Sequence, residues 1–157
     1  VVPWYASDLQ FSKARIPDVA RHITLAQASD LPKRLTRTTN STIRKDNRRL
    51  ACGDRSPAGG KNCDEYPLAT SRNGMSAGGK RRTFDGCSYN DIPSGTGSKG
   101  ASACAVPERQ NSSQGGSTTA FYRDQRVLDG DRFDVKIIPC GSRTRTAESL
   151  PQAMSPH

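Results

Sequence analysis

Asp64 and Glu65 stand side by side in the segment Cys63-Asp64-Glu65-Tyr66-Pro67-Leu68-Ala69-Thr70. Two adjacent carboxylates offer hard oxygen ligands of the kind that suits magnesium or manganese, and either can take a proton from water. Histidine, the commonest general base, is scarce. His22 lies in a segment with helical periodicity, and His157 ends the sequence. Hydrolytic chemistry centred on the acidic pair must therefore rest on a carboxylate or a metal-activated water. In an extended strand, neighbouring side chains point to opposite faces, so both carboxylates reach one ion only where the backbone turns. Tyr66-Pro67 makes such a turn believable. Arg72, Lys80 and Arg82 follow the pair and are either ligands for flanking phosphates or ordinary surface charges.

The segment closely resembles the CDEYP-F-A-[ST] signature of the NucA/NucB family of small secreted deoxyribonucleases, with Leu68 where the family usually has phenylalanine. Asn111-x-x-Gln114-Gly115-Gly116, Phe121-Tyr122 and Arg126-Val127-Leu128-Asp129-Gly130-Asp131 look like later blocks of the same family, in the same order. The resemblance runs from about Leu50 to Ile138. It implies a metal-dependent, nonspecific endonuclease that acts on DNA outside the cell, with RNA as a weaker substrate and magnesium or manganese as cofactor. A monomer is expected, with an inhibitor protein as partner if the chain is a delivered toxin.

On that resemblance Asp64 and Glu65 are the catalytic and metal-binding carboxylates, one as ligand and the other orienting or deprotonating water, with the assignment open. Asn111 and Gln114 would hold a metal-bound water or donate to a phosphate oxygen, while Gly115 and Gly116 would let backbone amides approach the phosphate. The alternative is that Asn111 to Gln114 simply caps a helix beginning near Ser117. Glu108 is a further carboxylate near this block. Asn111-Ser112-Ser113 and Asn40-Ser41-Thr42 are also glycosylation sequons, and a glycan on Asn111 would count against its place in a site.

The charge balance agrees with a polyanionic partner. There are 24 Lys and Arg against 15 Asp and Glu, a net charge of +9. Seven basic residues and one acid fall between Lys33 and Arg49, either a solvated helix face or a phosphate-tracking surface. A noncatalytic module that binds nucleic acid or another polyanion shares this feature. A carbohydrate hydrolase is disfavoured, because one Trp in a sparse aromatic set offers little sugar platform.

The elements that must position these groups are short. Pro17 starts a helix over 16–28, and Ser41 caps another over 41–51. A third helix is expected over 117–125, a brief strand at 80–84, and the clearest strand at 132–138 with Phe133, Val135 and Ile137 inward. Residues 1–15 show no clear periodicity. Gly95-Thr96-Gly97-Ser98-Lys99-Gly100 matches G-x-G-x-x-G but neither follows a convincing strand nor opens a helix, so it reads as a loop. Asp129 and Asp131 read as a turn. The fold class is α+β, a small antiparallel sheet with helices packed on one side, stabilised by disulfides.

Five cysteines lack the paired spacing of a zinc ribbon. Cys52 with Cys63, and Cys87 with Cys104, would each close a short Gly-rich loop, at roughly 3 kcal/mol apiece. Cys140 is then a free thiol, an intermolecular partner, or a sign of different pairing. One nuclease domain is expected over 1–140, with a loosely attached polar tail over 141–157. No run is long and apolar enough for a membrane helix. The start lacks the pattern of a signal peptide, as in a mature or trimmed secreted form.

Overall fold

Arg132–Ile138 places Phe133 and Val135 in the core and turns their neighbours outward. The computed structural model describes residues 6–54 and 56–139. In chain order the strands are β1 (Ser7–Ser12), β2 (Arg34–Thr36), β3 (Lys61–Tyr66), β4 (Arg81–Arg82), β5 (Ala101–Pro107) and β6 (Arg132–Ile138). The helices are α1 (Pro17–Ala28), α2 (Ser41–Cys52) and α3 (Glu108–Asp124). The class is α+β. The strands divide into two three-stranded sheets, β1-β6-β2 and β3-β5-β4, where the sequence suggested one. Each sheet is mixed: β1 runs parallel to β6 and β4 parallel to β5, while β2 and β3 are the antiparallel members.

Helix α1 joins the two sheets. Val19, His22, Ile23 and Ala26 recur at helical spacing and are all buried. The first turn has no local side-chain cap; instead Gln110 of α3 accepts from the backbone N–H groups of Asp18 and Val19, at 2.9 and 3.3 Å. Its amide returns a bond to Asp18 Oδ2, so the open end of α1 is satisfied from a distant helix. At the other end Gln27 donates both to Tyr66 Oη and to the Val135 carbonyl, linking β3 to β6.

Both expected disulfides are present. Cys52–Cys63 ties the last residue of α2 to β3, and Cys87–Cys104 ties the 83–100 loop region to β5. Cys140 and the 141–157 tail lie outside the described residues. The Gly95–Gly100 segment is loop, as expected. At Gly100 a Cβ would lie 2.1 Å from the Lys80 carbonyl oxygen, so the glycine is required by close backbone approach, not by a phosphate. Among the described residues no helix is long and apolar enough to cross a membrane.

Candidate active site

Strand β3 lies at the edge of its sheet, paired with β5 from Lys61 opposite Pro107 to Tyr66 opposite Ser102. The pairing is regular through Asp64 and Glu65, so the chain does not turn at the acidic pair. The bend comes after it, at the cis Tyr66–Pro67 peptide. The two carboxylates therefore leave the strand in opposite directions. A cavity of about 1520 Å³ nevertheless touches Asn62, Cys63, Asp64 and Glu65 in succession. A cavity touching four consecutive strand residues runs along the strand edge, where both faces are accessible.

Asp64 is 3% exposed, and its Oδ2 lies 2.6 Å from Nδ1 of His22, which is fully buried on α1. If Asp64 is ionised it only accepts, and Nδ1–H is then the donor in this bond. On the other side of the ring, Nε2 is 2.8 Å from Ser102 Oγ of β5. The imidazole is thus held at both nitrogens, and it fixes the orientation of Asp64.

Glu65 is handled differently. It is 8% exposed, its Oε2 has no hydrogen-bond partner, and burial pushes its carboxyl up to about 8. The Arg48 guanidinium pulls in the opposite direction and the charge of Asp64 adds to the rise. A buried, unpartnered carboxylate oxygen is costly to the fold and suits a group that takes a proton or a cation.

The cavity walls are α2 and α3. From α2 come Arg44, Lys45, Arg48 and Arg49, on two adjoining i, i+4 rows, while Asn47 and Ala51 face inward and are buried. Asn47 anchors this helix. Its amide donates to the carbonyls of Ala69 and Ser71, and its Oδ1 accepts from Ser76 N and Oγ. Gly74 packs so tightly there that a Cβ would sit 2.5 Å from Asn47 Cγ.

From α3, Asn111, Gln114, Thr118 and Tyr122 form one stripe along the cavity. Tyr122 Oη is 2.6 Å from Thr70 Oγ1, and burial pushes the phenol up to about 12. The Arg37 guanidinium stacks over its ring, 4.3 Å from the centroid, while donating to the Val127 carbonyl. Arg123, in the last turn of α3, and Arg126, just past its end, add further positive charge to the cavity lining.

Residues 20–136 match the family model of the deoxyribonuclease NucA/NucB family. The chain belongs to that family. No match was found among the curated proteins. The NucA/NucB match reaches back into α1 and takes in His22, which the sequence motifs alone did not.

Of the residues singled out in this NucA/NucB chain, Asp64, Glu65, Asn111 and Gln114 all line the cavity. Arg72, Lys80 and Arg82 do not. Arg82 is 4% exposed and spends its guanidinium on Ser29 O, Ser29 Oγ and Lys99 O, bracing the 95–100 loop. Arg72 pairs with Asp129 at the surface. Glu108 is exposed at the start of α3, away from the cavity lining. The Asn111–Gly116 segment is neither a loop nor a cap but part of α3 itself, which starts at Glu108. Amides inside a helix are engaged by its own carbonyls, so Gly115 and Gly116 cannot offer theirs to a phosphate.

The donor set can be compared with what a cation needs. Among the described residues no three His, Cys, Asp or Glu side chains gather into a cage. Carboxylate and amide oxygens share the cavity, and one buried carboxylate oxygen lacks a partner. That fits a magnesium-type ion, which takes one or two carboxylates and keeps several waters, better than zinc or calcium.

Proposed function

We propose that this chain is a nonspecific, metal-dependent endonuclease that hydrolyses phosphodiester bonds of DNA, with RNA as a weaker substrate. The observation that carries the reading is Glu65, a buried carboxyl with an unpartnered oxygen in a cavity whose banks are cationic. Glu65, with the amide oxygens of Asn111 and Gln114, would hold magnesium or manganese. When bound, the ion supplies Lewis-acid stabilisation of charge on the phosphoryl oxygens.

The remaining work falls to the chain itself. His22 takes up Asp64 Oδ2, leaving Oδ1 to orient an attacking water and accept its proton. The α2 cations hold flanking phosphates, with Arg48 nearest to Glu65 in its electrostatic effect. Contacts of this kind read the backbone and not the bases, so they impose no sequence requirement of their own. Two disulfides suit an oxidising compartment, in keeping with action outside the producing cell.

Plasmid cleavage by wild type, Asp64→Ala and Glu65→Ala, with and without EDTA, tests the proposal. Cutting by wild type that stops in EDTA and in both variants is the expected result. Undiminished cutting in EDTA, or by both variants, would overturn the metal-carboxylate mechanism. Retention of DNA binding with no cutting under any divalent ion would instead leave a binding module.

A further inference from the structure

Leu128 is the exposed large hydrophobic side chain among the described residues, at 62%. A single exposed leucine is ordinary on a protein surface. Its place is not ordinary. Leu128 lines the same cavity as Arg123, Arg126 and the basic rows of α2.

The turn that presents it is pinned on all sides. Leu128 N donates to Asp131 Oδ2 at 2.8 Å, and Asp131 N returns a bond to the Leu128 carbonyl at 3.0 Å. Arg37 N donates to the Asp131 carbonyl, and its own carbonyl accepts from Gly130 N. Asp129 accepts from Thr39 N and pairs with Arg72. Val127, the preceding residue, is buried and donates to the Tyr122 carbonyl. Gly130 has φ +84°, the conformation that closes this turn at no steric cost. So many bonds hold the backbone that Leu128 cannot fold back onto the core to escape water.

We infer that Leu128 is an apolar wedge that enters the base stack of a duplex while the surrounding cations grip its phosphates. The inference rests on the nuclease reading for its substrate and assigns a residue that acts on the bases, not on the phosphate. Wedge side chains beside phosphate-binding cations unstack a base step and kink the duplex, widening access to the backbone. Flexible steps are the least costly to open, so cleavage would favour pyrimidine–purine steps without any hydrogen-bonded base readout.

The test compares wild type with Leu128→Ala and Leu128→Met on two substrates: duplex DNA and bis(p-nitrophenyl) phosphate. Leu128→Ala should lower kcat/KM on duplex about tenfold and leave the small diester unchanged, because the latter has no stack to enter. Leu128→Met should restore duplex cleavage. In the Glu65→Gln background, which isolates binding, a duplex containing 2-aminopurine should brighten on binding, and Leu128→Ala should abolish that signal. An equal loss on the small diester would show a structural role for the turn and overturn the wedge. So would unchanged duplex cleavage together with an unchanged 2-aminopurine signal. Should wild type cut nothing while its 2-aminopurine signal depends on Leu128, the nuclease reading fails and the wedge stands.

Discussion

His22 Nδ1 lies 2.6 Å from Asp64 Oδ2, with the histidine fully buried and the aspartate 3% exposed. The pair joins α1 to β3 across 42 residues of sequence, and Ser102 holds the far side of the ring. Removing the imidazole leaves a buried carboxylate short of its donor, which costs about 1–3 kcal/mol or more. It also frees Asp64 to rotate. His22→Ala should therefore lower both the melting temperature and kcat, the latter roughly 10–100-fold, as for partners that orient a reacting group. His22→Asn, which keeps a donor, should recover part of the stability. Full activity in a folded His22→Ala protein would remove the orienting role.

Glu65 gives a pH signature of known sign. Burial raises its folded-state pKa from 4.5 to about 8, so between those values the folded chain holds a proton that the unfolded chain releases. Stability is then complete below about 4.5 and falls as pH rises toward 8, by on the order of 4 kcal/mol. Glu65→Gln cannot titrate. In EDTA the variant should melt close to wild type at pH 4 and roughly 10 °C above it at pH 9. Parallel melting curves across that range would contradict the buried, unpartnered carboxyl.

Much of this arrangement was readable in advance, and the misses have physical causes. The helix from Pro17 and the strand from Arg132 follow their hydrophobic periods. In α2 the cap is Asn40, one residue before Ser41, because its Oδ1 accepts from Thr42 N and Ile43 N. Helix α3 begins nine residues earlier than its composition suggested, at Glu108 against Ser117. Asn, Ser and two Gly disfavour helix, but Gln110, Gln114, Thr118 and Tyr122 are buried along it, and tertiary packing outweighs propensity. Strand β1 alternates Leu9 and Phe11 with exposed Asp8 and Gln10, too briefly to stand out. The acidic pair, Asn111 and Gln114 were legible as motif; His22 was not, because its partner is remote. One clue was available: a histidine on the apolar face with Val19, Ile23 and Ala26 must find a polar partner inside.

The Cys52–Cys63 bridge is the covalent hinge between the basic helix and the acidic strand, and both cysteines line the cavity. Closing a loop of sequence separation 11 stabilises by roughly 3 kcal/mol. Cys52→Ser with Cys63→Ser should lower stability by about that amount. It should also weaken cleavage at temperatures where the protein remains folded, because α2 can then drift from β3. Replacing Cys87 and Cys104 should cost stability with less effect on cleavage, since that bridge lies outside the cavity lining. Circular dichroism melts paired with cleavage rates at a fixed temperature separate the two effects; equal losses of cleavage from both pairs would refute the hinge.

Arg44, Lys45, Arg48 and Arg49 face the cavity from one side of α2, and each phosphate they neutralise should release counterions. The slope of log K against log salt is about −0.9 per phosphate contact on duplex DNA. Replacing all four by glutamine should make that slope shallower by about 3 to 4, and binding weaker at low salt, in the cleavage-blocked Glu65→Gln background. Arg72→Gln and Lys80→Gln should leave the slope nearly unchanged, since neither side chain reaches the cavity and Arg72 is paired with Asp129. Fluorescence anisotropy of a labelled duplex between about 50 and 200 mM salt measures both. A slope indifferent to the α2 substitutions but sensitive to Arg72 and Lys80 would move the binding surface off this helix, and the cavity would lose its claim to the scissile phosphate.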